Sequence, residues 1–477
     1  MCDNPSADGA ETLMPRRLKF DRSKICTKCK ELPGNVVIRH AVYCKKCFLQ
    51  LVTIKFRRGL ESTLLPDPSS DPSLRNVLKA SGNLLIGLSG GLGSTVLLDL
   101  VHRSYNSTSS SSGQDGKPRN RGKQAPQRRK DVWNKVMVGY VEMCAAYPGT
   151  KDRTDEARGM VEKCAEIEFV PLRIENVFDG EWWKRMGGKG LQQLSVDLNV
   201  DGLKVKIPAE TCGTPRDALQ SFIASLPTPT AVASLLRTLT RLLLLYAARS
   251  TGSSHLLLGT SLTSFSVSLI SSIAQGGGFN VREEQEETWK DVRLIRPLRE
   301  LGGKECATYM WWNELSVLPG GITTTKEQGI GKLTRDFIVG LEKNFPSTVS
   351  TVARTCGKLV PKGDTDMACV VCERPAQAGV QEWKTRISIW SRTALAPDEP
   401  VKGAKSLAPY LCYGCHTSLT SRSSRGGSGL VPSMALPRWT GENLTQLGRA
   451  KDEVREGNRL AMKREIEEFL IDDTEEK

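Results

Sequence analysis

The sequence predicts an α/β fold, a parallel β-sheet with crossover helices, flanked by two CxxC modules. Three observations predict it. Short apolar runs alternate with stretches of helical periodicity through the middle of the chain, as in a sheet covered by crossover helices. A glycine-rich turn, "SGGLGS", joins the first apolar run to the first such helix. Doubled CxxC pairs stand on both sides of this region.

Residues 1–20 read as a disordered tail without the apolar segment of a secretory leader. Residues 21–65 form the first module. Cys26 and Cys29 in "CTKC" and Cys44 and Cys47 in "CKKC" are separated by 14 residues. Each pair fits a tight turn, and two turns together supply four tetrahedral thiolates, so zinc is the expected occupant. The same ligands suit an iron–sulfur cluster. A redox pair is the alternative, although its usual βαβ context is missing. The stretch "FLQLVTIKFRRGLESTLL" behind the second pair is expected to be helical, and "PDPSSDPS" at 66–73 to be a linker.

The core spans 74–350. Its expected strands are 84–88, 136–142, 167–174, 255–259 and 292–296, and its expected helices 94–102, 152–166, 230–249, 262–275 and 299–313. Two insertions interrupt it. Residues 104–130 are serine-rich and then basic, with Lys117, Arg119, Arg121, Lys123, Arg128, Arg129 and Lys130. Such a composition buries too little apolar surface to order itself. It reads either as a solvated loop or as a phosphate-contacting arm. Residues 178–215 form a second, irregular excursion.

The second module, 355–440, holds Cys369 and Cys372 in "CVVC" and Cys412 and Cys415 in "CYGC", with 39 residues between the pairs. Closure entropy grows slowly with loop length, so a second metal site is expected. Residues 441–477 read as a charged helical tail. His40 and His416 are spare ligands expected at the surface. Cys2, Cys144, Cys164, Cys212, Cys306 and Cys356 read as small buried filler, or as carriers of sulfur or a cluster if two or three of them converge.

Lys and Arg exceed Asp and Glu by 14 charges, an excess that favours polyanionic partners, nucleic acid first. The longest apolar block, "LLLLYAA" at 242–248, is too short to span a bilayer. The chain is expected to be intracellular and free of membrane, where disulfides are rare and paired cysteines argue for metal.

In "NLLIGLSGGLGSTVLLDLV", residues 83–101, a strand, a glycine turn and a helix follow one another. This layout aims backbone N–H groups and a helix N-terminus at an anion. Gly90 and Gly91 permit close approach, and Ser89 and Ser94 offer hydroxyls. The turn lacks the Gly-Lys-Ser/Thr ending of a Walker A loop, and a plain structural turn remains the other reading.

"SGGLGS" resembles the PP-loop, Ser-Gly-Gly-x-Asp-Ser, of ATP pyrophosphatases, which adenylate a carbonyl oxygen. The order of motifs is more specific. Paired CxxC motifs precede the loop, "GTSLTSFSVSLISSIAQGGG" follows within the core, and a second Cys set closes the region. Over about residues 20–440 this arrangement resembles the cytoplasmic tRNA 2-thiolation protein 2 family. The resemblance implies a PP-loop ATP-pyrophosphatase-like (adenine nucleotide alpha hydrolase-like) core in a cytoplasmic complex that 2-thiolates the wobble uridine of tRNA Lys, Glu and Gln. It also implies a heterodimer with a catalytic PP-loop subunit and sulfur delivered by a thiocarboxylated ubiquitin-related modifier. A role in conjugating that modifier to proteins would accompany it.

The chain departs from the catalytic pattern. Gly93 stands where catalytic relatives carry Asp, and Thr260, Thr263 and Ser264 stand where tRNA-thiolating relatives read Gly-His-x-x-Asp-Asp. Carboxylates commonly organise the magnesium that a pyrophosphate leaving group needs. The expectation is therefore a degenerate loop at Ser89, Gly90, Gly91 and Ser94, with ATP bound weakly or through the partner, and with Gly93→Ala tolerated. An autonomous ATP-dependent tRNA sulfurtransferase and a non-enzymatic zinc and RNA-binding adaptor are the alternatives.

Overall fold

The computed structural model describes residues 24–38, 41–64, 82–106, 132–164, 166–198, 203–206, 213–318, 329–356, 358–359, 367–377, 379–380, 406–420 and 434–447. The chain opens with a hairpin, β1 (Val36–Ile38) and β2 (Ala41–Tyr43), and a long helix, α1 (Lys45–Leu64). The core then runs β3 (Asn83–Leu88), α2 (Leu92–Val101), β4 (Val136–Glu142), α3 (Thr154–Glu162) and β5 (Ile167–Arg173). A short α4 (Gly180–Arg185), two-residue strands β6 (Ser195–Val196) and β7 (Val205–Lys206), α5 (Pro215–Ser225) and the long α6 (Pro229–Ser250) follow. Next come β8 (Ser253–Leu258), α7 (Leu262–Ala274), α8 (Val281–Gln285), β9 (Glu287–Trp289), β10 (Val292–Ile295) and α9 (Gly303–Trp312). The remaining elements are α10 (Ile330–Asn344), α11 (Pro346–Cys356), α12 (Tyr413–Thr420) and β11 (Met434–Ala435).

The six-stranded sheet has the order β5-β4-β3-β8-β10-β9. Its pairs are parallel except for the edge strand β9, which runs antiparallel to β10. The five expected strands are its five parallel members. β4 is buried at every position and β3 at all but its first, which is why these strands read as continuous apolar runs: a parallel sheet is covered on both faces.

Successive residues of β3 point to opposite faces. Leu84, Ile86 and Leu88 meet α1, α2 and α9 on one face, while Leu85 meets α6 on the other. Helix α1 docks through Phe48, Val52, Phe56 and Leu60, spaced four apart and each at most 1% exposed. Burial of each such side chain stabilises by about 1.5–3 kcal/mol, so the N-terminal module is fastened to the sheet by its helix.

The apolar block at 242–248 belongs to the 22-residue α6, a helix long and apolar enough by composition to cross a membrane. Here it is the central cover of the second face, with Leu235, Leu239, Leu242, Leu243 and Leu245 buried.

Two stretches differ from their sequence reading. The 178–215 excursion, expected to be irregular, carries α4, whose Trp182 and Trp183 are buried, and strands β6 and β7, with β6 paired to both β7 and β11 in a small antiparallel sheet. The cysteines expected in a flanking module at 355–440 lie in the same core as α6. The reason is aromatic: Trp183, Tyr246, Trp289 and Trp439 pack in edge-to-face and tilted contacts across chain segments far apart in sequence, and the second Cys set belongs to the same core.

Candidate functional site

The glycine loop leaves the carboxyl end of β3, the central strand from which β4 lies on one side and β8 on the other. That is the switch point where open α/β sheets place their ligands. Gly90 has φ +72°, a left-handed conformation that favours glycine, and Gly91 caps α2 without a side-chain hydrogen bond. The loop thus has the build of an anion cradle.

Its hydroxyls, however, are bonded within the loop, with Ser94 and Thr95 buried and Ser89 exposed. Ser89 and Ser94 lie with their Oγ atoms 3.1 Å apart, the Ser89 N–H donates to Ser94 Oγ at 3.3 Å, and the hydroxyls of Ser94 and Thr95 both donate to the Gly91 carbonyl at 3.0 Å. Gly90 is covered as well. Leu318, 6% exposed, donates its N–H to the Gly90 carbonyl at 3.0 Å. Its side chain lies so close that a Cβ on Gly90 would stand 2.3 Å from Leu318 Cδ1.

Gly93 corrects an expectation. A Cβ there would stand 1.9 Å from the Gly259 carbonyl oxygen, and one on Gly259 would stand 2.5 Å from Gly93. The β3–α2 and β8–α7 loops touch backbone to backbone, so Gly93→Ala is not a neutral change. The hydroxyls standing in for carboxylates have internal partners. Ser261 caps α7 by accepting from the Ser264 N–H and donates its hydroxyl to Ser264 Oγ at 3.2 Å, and Thr263 donates to Glu342 at 2.6 Å and accepts from the Gly303 N–H at 2.9 Å. Glu342, on α10, is the acid that the local motif could not reveal: only the fold brings it to Thr263.

Both cysteine sets converge. In each, the four sulfurs lie within 4.8 Å of one another, and these are the two groups of metal-capable side chains found among the described residues. In the first, Cys26 and Cys29 sit on a tight turn, Cys44 follows the hairpin and Cys47 lies in the first turn of α1. Cys29 and Cys44 are 3.9 Å apart. Burial opposes ionisation of Cys26, but the Cys29, Cys44 and Lys28 amides aimed at its sulfur outweigh it and hold the thiol at about 6. In the second, all four cysteines are buried, Cys372 and Cys412 are 3.7 Å apart, and the Cys415 N–H donates to Cys412 Sγ at 3.5 Å. Four convergent sulfurs with amides pointing at them fit a divalent metal or an iron–sulfur cluster equally well.

The other described cysteines do not join these sets. Cys144 lies half-buried after β4, where burial and then the Glu142 carboxylate push its thiol up; Cys164, Cys306 and Cys356 are pushed up by burial in separate places. His416, expected at the surface, is 3% exposed because α12 packs under the core directly after Cys415. Cys2, His40, Cys212, the seven basic residues of the first insertion and the tail beyond 447 lie outside the described residues.

The chain is similar to several known proteins. The family described as cytoplasmic tRNA 2-thiolation protein 2 matches residues 329–417. The chain is 28% identical to the cytoplasmic tRNA 2-thiolation protein 2 of Phaeosphaeria nodorum, over 84% of this chain and 96% of the relative. It is 27% identical to that of Xenopus tropicalis, over 95% of each chain, and 26% identical to that of Homo sapiens, over 74% of this chain and 72% of the relative. Among solved structures it is similar to the U34-tRNA thiolase NcsA from Methanococcus maripaludis with its [4Fe-4S] cluster. That match has 18% identity and a TM-score of 0.45, covering 77% of this chain and 97% of that one.

Proposed function

We propose that this chain, similar over most of its length to cytoplasmic tRNA 2-thiolation protein 2 of several organisms, belongs to that family and is the non-catalytic subunit of the complex that thiolates the wobble uridine. It acts in cytoplasmic tRNA 2-thiolation, with tRNA and a catalytic PP-loop subunit as its partners. The observation that carries the division of labour is the closed glycine loop. Its hydroxyls bond within the loop, Leu318 covers Gly90, and Gly93 abuts Gly259. A site that activates a uridine oxygen with ATP must leave room for phosphates and a metal, and here Leu318 packs on Gly90 and the Gly259 backbone abuts Gly93, while Ser89 stays exposed.

In this reading the partner binds ATP and receives sulfur from the thiocarboxylated ubiquitin-related modifier. The substrates are tRNA Lys, Glu and Gln, whose wobble uridine becomes mcm5s2U. This chain binds the partner and helps to position the RNA. Each cysteine set holds one structural metal, zinc by the chemistry of four thiolates on two tight turns.

The test is thiolation in vitro with ATP, magnesium and a sulfur donor, by this chain alone and by the pair. The chain alone should release no AMP above background. AMP release and thiolation near the rate of the pair would sink the proposal and return the autonomous sulfurtransferase. Metal analysis of the pure chain should give close to two zinc ions, and an iron–sulfur absorption band would change the identity of the metal.

A further inference from the structure

On the outer side of α1 lies a groove that none of the sites above uses. It encloses about 340 Å³ between α1, the carboxyl end of α2 and α9, with Gln50, Ile54, Arg57, Arg103, Tyr309 and Asn313 among its walls. Sequence spacing puts it there. Phe48, Val52, Phe56 and Leu60 turn one stripe of α1 to the core, and Gln50, Ile54 and Arg57 fall off that stripe. Helix α2 runs on into a π-helical turn, His102–Asn106, which brings Arg103 to the same groove. Arg103 stands twelve residues beyond Gly91, about 18 Å of helix rise, so the groove is separate from the glycine loop.

The acids around the groove are engaged elsewhere. Asp99 accepts from Arg103 Nε at 2.9 Å and from the Tyr309 hydroxyl at 2.8 Å. Glu305 pairs with Lys55 at 2.6 Å, and Glu61 accepts from the Tyr105 hydroxyl at 3.2 Å. Glu31 and Glu314 are exposed, and among the described residues no carboxylate lines the groove. Arg57 differs from its neighbours. It has no hydrogen-bond or ion-pair partner among the described residues, and its Nε is shut off from water. Arg58, beside it, is exposed.

A buried donor left without an acceptor is costly, and beside an open groove an acceptor from outside can meet it. A guanidinium is a planar fork of N–H donors that matches the oxygens of a phosphate, and Arg103 adds a second positive charge on the same groove. The amides on the walls are half used. Gln50 accepts from Lys28 through Oε1, which leaves Nε2, and Asn313 donates Nδ2 to the Tyr309 carbonyl, which leaves Oδ1. They offer a donor and an acceptor to a ribose or a base edge beside the phosphate. An acidic peptide would meet the same two arginines, but the chain's excess of 14 positive charges and the role proposed above favour RNA.

We propose that this groove is a phosphate-binding site for RNA, in which Arg57 and Arg103 hold a backbone phosphate and Gln50 and Asn313 the adjoining nucleotide. The inference rests on the reading that this chain helps to position tRNA, and it names the place. The contact lies at the far end of α2 from the glycine loop, where the basic insertion leaves the fold. It supplies affinity and orientation and no sequence choice.

Binding of an unmodified tRNA Lys transcript is titrated against salt, with the full chain alone and with its catalytic partner. Arg57→Gln should lower affinity about fivefold at roughly 0.15 M salt and flatten the salt slope by about 0.7–0.9, the value of one phosphate contact. Adding Arg103→Gln should flatten it about twice as far. Arg57→Lys keeps the charge and should recover the slope. Arg354→Gln removes one exposed charge from α11 and should leave the slope as it is. If Arg57→Gln and Arg354→Gln act alike, binding follows net charge and the groove is not the site. A second arm does not depend on how these variants fold. p-Benzoylphenylalanine placed at Ile54, 55% exposed in the groove, should cross-link to the tRNA on irradiation, and placed at Leu333, 72% exposed on α10, it should not. Equal yields at the two positions, no cross-link at Ile54, or one to the partner subunit in place of RNA overturns the proposal. A wild type that binds no tRNA refutes the RNA-positioning reading itself, a result distinguishable from any difference among the variants.

Discussion

At position 93 a Cβ would stand 1.9 Å from a backbone oxygen that cannot rotate away. Gly93→Ala should therefore cost about 1–3 kcal/mol, the usual range for overpacking, read as a lower urea midpoint with unchanged slope. Gly91→Ala, with its nearest neighbour at 3.5 Å, is the control and should be near neutral. Gly93→Asp meets the same oxygen, so one substitution does not restore a metal handle. A second residue-scale consequence concerns acid. His255, on β8, is 7% exposed, and burial, followed by the nearby Arg293, pushes it down to about 4 from an ordinary 6.5. Between those values the unfolded chain binds the proton and the folded one does not, so stability falls as pH drops through that window. Unfolding free energies from urea titration at pH 7 and pH 5 should differ by about 2 kcal/mol more in the wild type than in His255→Gln. An equal difference would show that this histidine does not govern acid sensitivity. At this scale the sequence revealed that Gly93 is not Asp. It could not reveal the reason that position stays small, because Gly259 is 166 residues away.

The strands were legible because a parallel sheet buried on both faces leaves unbroken apolar runs. Helix α6 was legible for the same reason. Less readable were α10 and α11, where much of each helix surface is polar and exposed, and α4, whose paired tryptophans stand among glycines. The two cysteine sets were legible as ligands, but their energetic roles were not. Cys26, Cys44 and Cys47 form a small cluster of their own, whereas the second set belongs to the main core. Cys26→Ser should then remove one metal and loosen the hairpin while the sheet keeps its protection from hydrogen exchange. Cys412→Ser should remove the other metal and destabilise α6 and the sheet by roughly 3–5 kcal/mol, in the upper range for single substitutions. Equal effects on the sheet would mean that the second set is not part of its support.

For the molecule as a whole, net charge pointed to a polyanion without saying where it binds. The basic insertion leaves after α2 and returns before β4. Its return is fixed by the Asn134 N–H, which donates to the Gly82 carbonyl at 3.1 Å at the amino end of β3, the edge opposite the glycine loop. Tyr105, at the start of the stretch read as insertion, is 3% exposed and packs on Phe56 and Trp133. A clean deletion therefore begins after residue 106. Removal of 107–130 should weaken tRNA binding and flatten its salt dependence by about 0.7–0.9 for every phosphate the segment neutralises, while the core stays folded. An unchanged slope would make the segment a solvated loop.

The aromatic seam that joins α4 and α6 to the helical stretch 438–447, which carries Trp439, also sets a schedule for biosynthesis. Trp183 bonds to Glu442, which leaves the ribosome 259 residues later. At ordinary elongation rates that is a wait of about 13–50 s. Once residue 250 is made, the apolar face of α6 is complete, while Trp439 and the second Cys set that cover it are still to be translated. The nascent chain thus passes through a long window of greasy exposure that closes only when its final segment arrives. Chaperone dependence and metal delivery should both fall late, after most of the sheet has been synthesised.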